Sequence, residues 1–124
     1  MTIFKTIIIL FLTTSNLYAK NKKFEKEYQA IDCKARGGKT EVAIKGGRID
    51  CETKHFVIEY DFASKWAECL GQVSYYSAVK DKFGFCILIL ENKKDYKYLK
   101  KLKYTINYHD LYIKIKVDEI KNLN

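Results

Sequence analysis

Three carboxylates lie close together along the chain: Asp50, Glu59 and Asp61. Residues two apart on a strand share a face, so Glu59 and Asp61 in "HFVIEYDF" point the same way, opposite to Ile58 and Tyr60. Asp50, in "RIDCETK", points opposite to its neighbours Ile49 and Cys51. If the two segments pair side by side, all three acids meet. Carboxylates held together repel one another unless a cation neutralises them. An oxygen-only donor set of this density suits Mg²⁺ or Mn²⁺.

A second polar set follows in "ASKWAECLGQVSYY": Lys65, Glu68, Gln72 and Tyr76. At helical spacing these four fall within about 80° of one another. Their stripe borders an apolar one made of Phe62, Trp66, Leu70, Val73 and Ser77. The polar residues therefore stand where a helix meets a sheet, within reach of the acid-bearing strands. A plainer reading has the acids on an exposed sheet face and Lys65 paired with Glu68 on the surface. The two histidines, His55 and His109, have no Cys or His at ligand spacing and read as surface residues.

The elements that must carry these residues follow from periodicity. Phe24, Tyr28, Ile31 and Ala35 form one helical stripe over Phe24–Arg36, and "RGG" stops it. "TEVAI" and "RIDCETK" flank a "KGG" turn as a hairpin, and "HFVIEYDF" is a third strand. Ala63 to Val79 reads as a helix, and "FGFCILILE" as a strand covered on both faces. A basic helix from Asn92 to about Asn107 has Tyr96, Leu99, Leu102 and Ile106 on its buried side. "LYIKIKV" then alternates as an edge or half-exposed strand. This order predicts an α/β (α+β) domain with an αβββαβ core, one mixed sheet flanked by helices. The tyrosines of the C-terminal third (Tyr96, Tyr98, Tyr104, Tyr108, Tyr112) interleave with lysines. They suit either a base-stacking platform or, the favoured reading, a half-buried helix face with exposed lysines.

Met1 to Ala19 reads as a signal peptide: Lys5, the apolar run "TIIILFLTT" and a small residue at Ala19. Cleavage there leaves residues 20–124 as a single domain with loose ends at Lys20–Lys23 and Lys121–Asn124. That domain is expected in the periplasm or outside the cell, with no transmembrane segment. Four cysteines in an exported domain suggest disulfides. A helix packed on the Cys51 face of its strand brings Cys33 within bridging range. Cys69 and Cys86 either pair or remain buried thiols. The formal net charge of +8 favours polyanionic partners, nucleic acid among them.

Taken together, "RID", "IEYD" and the helix with "GQVSYY" resemble the PD-(D/E)xK nuclease superfamily, above all its RecB-type branch with a D…ExK…QxxxY pattern. Within it the chain is similar to small exported bacterial members whose own activity is unassigned. The resemblance spans about Cys33 to Leu90. It implies a restriction-endonuclease-like fold and a Mg²⁺- or Mn²⁺-dependent hydrolase acting on nucleic-acid phosphodiesters. Asp50 matches the metal-binding aspartate, Glu59 the acid of ExK, and Gln72 and Tyr76 the QxxxY pair. Asp61 stands where the pattern has lysine, and Lys65 is the candidate replacement. The implied catalytic set is Asp50, Glu59, Asp61, Lys65, Gln72 and Tyr76, with metal on Asp50, Glu59 and Asp61, and Glu41 and Glu68 as additional acids. The alternative is a non-catalytic basic binding module on the same fold, for DNA, an envelope polyanion or a protein partner.

Overall fold

The computed structural model describes residues 2–120, with side chains described from residue 16 onward. Helix α1 (Thr2–Ala35) leads into a hairpin of β1 (Lys39–Ile44) and β2 (Gly47–Glu52), then β3 (Phe56–Phe62). A 3-10 turn (Ala63–Lys65) opens α2 (Trp66–Lys80), followed by β4 (Phe83–Leu90). A second 3-10 turn (Lys93–Asp95), α3 (Tyr96–His109) and β5 (Ile113–Glu119) complete the order. The αβββαβ core is present, with α3 and β5 appended.

One five-stranded sheet runs in the order β1-β2-β3-β4-β5. The first three strands pair antiparallel, and β3, β4 and β5 pair parallel. The parallel strands need crossovers, which α2 and α3 supply. Strand β4 is buried on both faces from Gly84 to Leu90, because helices cover both sides of the sheet.

The register of β3 on β4 sets the faces. Ile58 lies beside Phe85 and Tyr60 beside Ile87, and these four pack with Cys33 of α1 and Cys51 of β2. On the opposite face Glu59 lies beside Cys86 and Asp61 beside Leu88. There Cys86, Leu88 and Leu90 pack with Cys69 of α2 and Leu99, Leu102 and Ile106 of α3. Both acids thus share the face that α2 and α3 cover. Two disulfides tie the helices to the sheet: Cys33–Cys51 (Cα–Cα 5.8 Å) joins α1 to β2, and Cys69–Cys86 (Cα–Cα 6.1 Å) joins α2 to β4. Disulfides of this kind persist in oxidising compartments.

Helix α1 departs from its expected form in two ways. It begins far upstream of Phe24 and takes in Lys20–Lys23, expected as a loose end, because no Gly or Pro interrupts the chain before Gly37. The other expected loose end, Lys121–Asn124, lies outside the described residues, as do the side chains of the apolar run near the N-terminus. Among the described residues no helix is long and apolar enough to cross a membrane.

The second departure is rotational. Ile31 and Ala35, expected inside, face solvent, with Ile31 73% exposed. The inward face instead carries Gln29 and Cys33, both buried, with Glu25, Tyr28 and Asp32 partly so. Bonding of Cys33 to the sheet fixes that rotation, and the cost of burying polar groups is met by hydrogen bonds described below. In α3, Leu99, Leu102 and Ile106 are buried as expected, but Tyr96 is 41% exposed.

Candidate functional site

Pairing between β2 and β3 runs through Glu52–Val57 and Cys51–Ile58 and stops there. One residue further on, side chains replace the backbone ladder. The Asp50 N–H donates to Glu59 Oε1 at 3.2 Å. The Tyr60 N–H donates to Asp50 Oδ2 at 3.0 Å. Gln29 of α1 donates through Nε2 to the Asp50 carbonyl at 3.0 Å and to Glu41 Oε1 at 3.3 Å. Both backbone groups of Asp50 are therefore satisfied by side chains, one from each flanking element.

The β1–β2 ladder is interrupted at the same level. Thr40 pairs with Cys51 and Val42 with Ile49, but Glu41 and Asp50 between them do not pair. Glu41 has a left-handed φ of 55°, which costs a non-glycine residue roughly 1–2 kcal/mol. Such strain concentrates at functional sites and persists only where surroundings enforce it. Here the enforcing contacts are Gln29 and a 2.6 Å ion pair from Arg48 Nε to Glu41 Oε2.

The break also changes which way β2 faces. Ile49 packs with Val57, Val73 and Tyr76 under α2, while Cys51 packs toward α1 with Ile58. Simple alternation placed Ile49 and Cys51 together and Asp50 opposite both. The backbone turns over at Asp50 instead, and this opens the sheet where the acids stand.

A cavity of about 380 Å³ occupies the opening. It is lined by Glu41, Asp50, Glu59, Asp61, Lys65, Glu68, Gln72 and Tyr76, and by Lys22, Glu25, Lys26, Gln29, Arg48 and Tyr60. Every site residue expected from the sequence is in the first group. Lys65 stands at the start of α2, and no ion pair joins it to Glu68 among the described residues. Tyr76 reaches the cavity because β2 carries Gly47 beneath it: a β-carbon there would overlap the phenol.

Burial sets the protonation of the cavity. Glu59 is 2% exposed and Asp61 is 7% exposed. Desolvation first, then the charge of Asp50 and a carboxyl–carboxyl hydrogen bond to it, push Glu59 up to about 10. Desolvation, then the charges of Glu25 and Glu68, raise Asp61 to about 8, against a smaller downward pull from Lys65. Glu25 rises to about 7 for like reasons, burial ahead of the Asp50 charge. Burial also raises Asp50. Asp61 Oδ2 is buried with no hydrogen-bond partner, a costly state for a carboxyl oxygen. Among the described residues no three Asp, Glu, His or Cys side chains stand ready-made as an ion's ligand set.

The α1 residues of the wall, Lys22, Glu25, Lys26 and Gln29, were not picked out from the sequence, and neither was Arg48. A signal for α1 exists. Lys22, Glu25, Gln29, Asp32 and Arg36 form one polar stripe, and Cys33 lies beside it. A half-cystine bonded to the sheet must face the sheet, so the polar residues in line with it face inward too. Beyond the cavity that stripe continues as a hydrogen-bonded support. Tyr60 Oη donates to Asp32 Oδ2 at 2.7 Å, Arg36 Nε pairs with the same oxygen at 2.7 Å, and Tyr28 Oη donates to Asp118. Burial pushes Asp32 up, but the Arg36 and Tyr60 bonds outweigh it and hold the carboxylate below its usual range.

No family model matches the chain. The chain is similar to the KilA-N domain-containing protein L32 of Acanthamoeba polyphaga mimivirus, 35% identical over 80 residues, which is 64% of this chain and 21% of that protein. The chain thus spans about a fifth of that relative's length. No solved structure matches.

Proposed function

We propose that the cavity is the centre of an exported, metal-dependent phosphodiesterase of PD-(D/E)xK type acting on nucleic acid. One observation carries the reading. Seven residues chosen by type and spacing, from β2, β3, the following turn and α2, line a single cavity together with Glu41 of β1, which the resemblance supplied.

The donor set fits a hard divalent cation in kind. It is all oxygen, it includes the unpartnered Asp61 Oδ2, and burial raises all three of its acids. Asp50, Glu59 and Asp61 would hold the ion. When bound, Mg²⁺ or Mn²⁺ supplies a water of lowered pKa and polarises a phosphoryl oxygen. On its binding, Glu59 and Asp61 would give up the protons that burial favours keeping. Lys65 and Arg48 neutralise phosphate oxygens at the rim. Gln72 and Tyr76 hold the carboxylates or donate to phosphate. The +8 chain charge, and the two disulfides that suit the periplasm or extracellular space, agree with a polyanionic substrate met outside the cytoplasm.

A second reading, a non-catalytic basic binding module, draws on the absence of a ready-made ligand trio among the described residues and on Asp61 in the lysine position. Incubation with single- and double-stranded DNA and RNA in Mg²⁺, Mn²⁺ or EDTA separates the two. Cleavage that needs metal and is lost in Asp50→Ala supports the first. Salt-sensitive DNA binding with no cleavage in either metal supports the second.

A further inference from the structure

Helix α3 buries Leu99, Leu102 and Ile106 against the sheet. On its opposite side Lys97, Lys101, Tyr104 and Tyr108 recur at i, i+4, i+7 and i+11, a stripe within about 60°. This is the outermost line of the helix, where the His109 ring lies edge-on to Tyr108 with centroids 4.9 Å apart. Tyr104 is 73% exposed and Tyr108 is 75% exposed, so the half-buried face expected for them is not what forms. Their rings stack on each other with centroids 6.5 Å apart and planes 18° apart. The segment Lys93–His109 holds six lysines (Lys93, Lys94, Lys97, Lys100, Lys101, Lys103) and one acid, Asp95. A π surface thus sits on the most basic helix of the chain.

We infer that the outer face of α3 is a docking strip for single-stranded nucleic acid. The charge selects a polyanion. The rings select among polyanions. A helix that lies on a membrane turns its apolar residues outward to the lipid, whereas the leucines here point into the core. A duplex keeps its base faces stacked inside. A single strand offers both partners at once, spaced phosphates for Lys97 and Lys101 and open base faces for Tyr104 and Tyr108. Helix α3 packs against α2 and against the turn that carries Lys65. The strip lies outside the cavity, which no α3 residue lines, and it narrows the substrate class of the proposed function, on which its biological sense rests.

The test is fluorescence anisotropy in EDTA with a labelled oligothymidine of about 12 nucleotides. A duplex of the same length and anionic phospholipid vesicles serve as competitors. The single strand should bind more tightly than the duplex. Tyr104→Ala/Tyr108→Ala should weaken it about tenfold or more while duplex binding is unchanged. Lys97→Gln/Lys101→Gln should lower the slope of log K against log salt by about 1.4. Wild-type affinity in the tyrosine variant overturns the inference, and so does a preference for vesicles. The two readings fail separately. Oligomer binding without Mn²⁺-dependent cleavage leaves the strip and removes the nuclease. Cleavage with a tyrosine variant that binds normally does the reverse.

Discussion

The amide of Asp50 donates to the side chain of Glu59 at 3.2 Å, in the place where a strand-to-strand backbone bond would lie. A carboxyl of Glu59 thus acts as part of the sheet's hydrogen bonding while it lines a cavity. Burial and the neighbouring Asp50 favour its protonated form, against the pull of the amide bond toward the ionised one.

The first prediction follows from that coupling. Glu59, Asp61 and Glu25 have folded-state values raised to about 10, 8 and 7 from ordinary carboxyl values. A raised group contributes stability that is fully present below its unfolded value and lost as pH rises through its folded value. Without metal the protein should therefore lose stability steadily from about pH 4.5 to pH 10. Glu59→Gln keeps the acceptor for the Asp50 amide and removes the charge. At pH 8 it should exceed the wild type in stability by on the order of 5 kcal/mol, with the gap closing near pH 4.5. Urea titrations at both pH values measure this, and a gap independent of pH would refute it.

The second concerns the metal. Binding must displace protons from these acids, so Mn²⁺ affinity should rise as pH goes from 6 to 8. Calorimetry in buffers of different ionisation enthalpy should detect proton release. Asp50→Ala and Glu59→Ala should each abolish the binding and stay folded, since losing one acid relieves repulsion for the others. No heat at millimolar Mn²⁺ would remove the metal, and the phosphodiesterase with it.

Lys65 carries the third. Lys65→Met keeps the stem and removes the charge. Turnover should fall by about 100-fold or more, with Mn²⁺ affinity nearly unchanged. Turnover equal to wild type would mean that Lys65 takes no part in cleavage.

The fourth tests the support beneath Asp50. Gln29→Leu leaves the Asp50 carbonyl and the Glu41 carboxylate without their α1 partner. The expected cost is about 1–3 kcal/mol. Thermal melts of this variant beside Ile31→Gln, a change on the exposed side of the same helix, should show a loss in the first alone. An equal loss in both would put the effect down to helix propensity.

Legibility from sequence divides along one physical line. Strand alternation placed Glu59 and Asp61 on one face correctly, because β3 is regular through Phe62 and fully paired to β4. Helical spacing placed Gln72 and Tyr76 for the same reason. Asp50 reached the site by a route that alternation does not describe, since the backbone turns over there and Glu41 leaves the extended region. Nothing in "TEVAI" marks a left-handed glutamate. The α1 wall was hidden by apolar spacing: Phe24, Tyr28, Ile31 and Ala35 made a convincing stripe, yet a covalent bond at Cys33 outweighs the burial of one isoleucine and one alanine.

The Cys33–Cys51 bond has a mechanical consequence. It joins α1 to the strand one residue from Asp50, so that end of the helix is a fixed pivot. The helix can tilt about it but cannot slide away. Gln29 lies about 6 Å from the pivot and Glu25 about 12 Å, at the helical rise per residue. A tilt of about 10° would shift Gln29 by roughly 1 Å, within the give of a hydrogen bond, and Glu25 by roughly 2 Å. Such a tilt would change how wide the cavity stands, with Lys22 and Glu25 moving most, and it would stretch the 2.9 Å bond from Asn21 Nδ2 to Glu91 Oε2 that holds the far end.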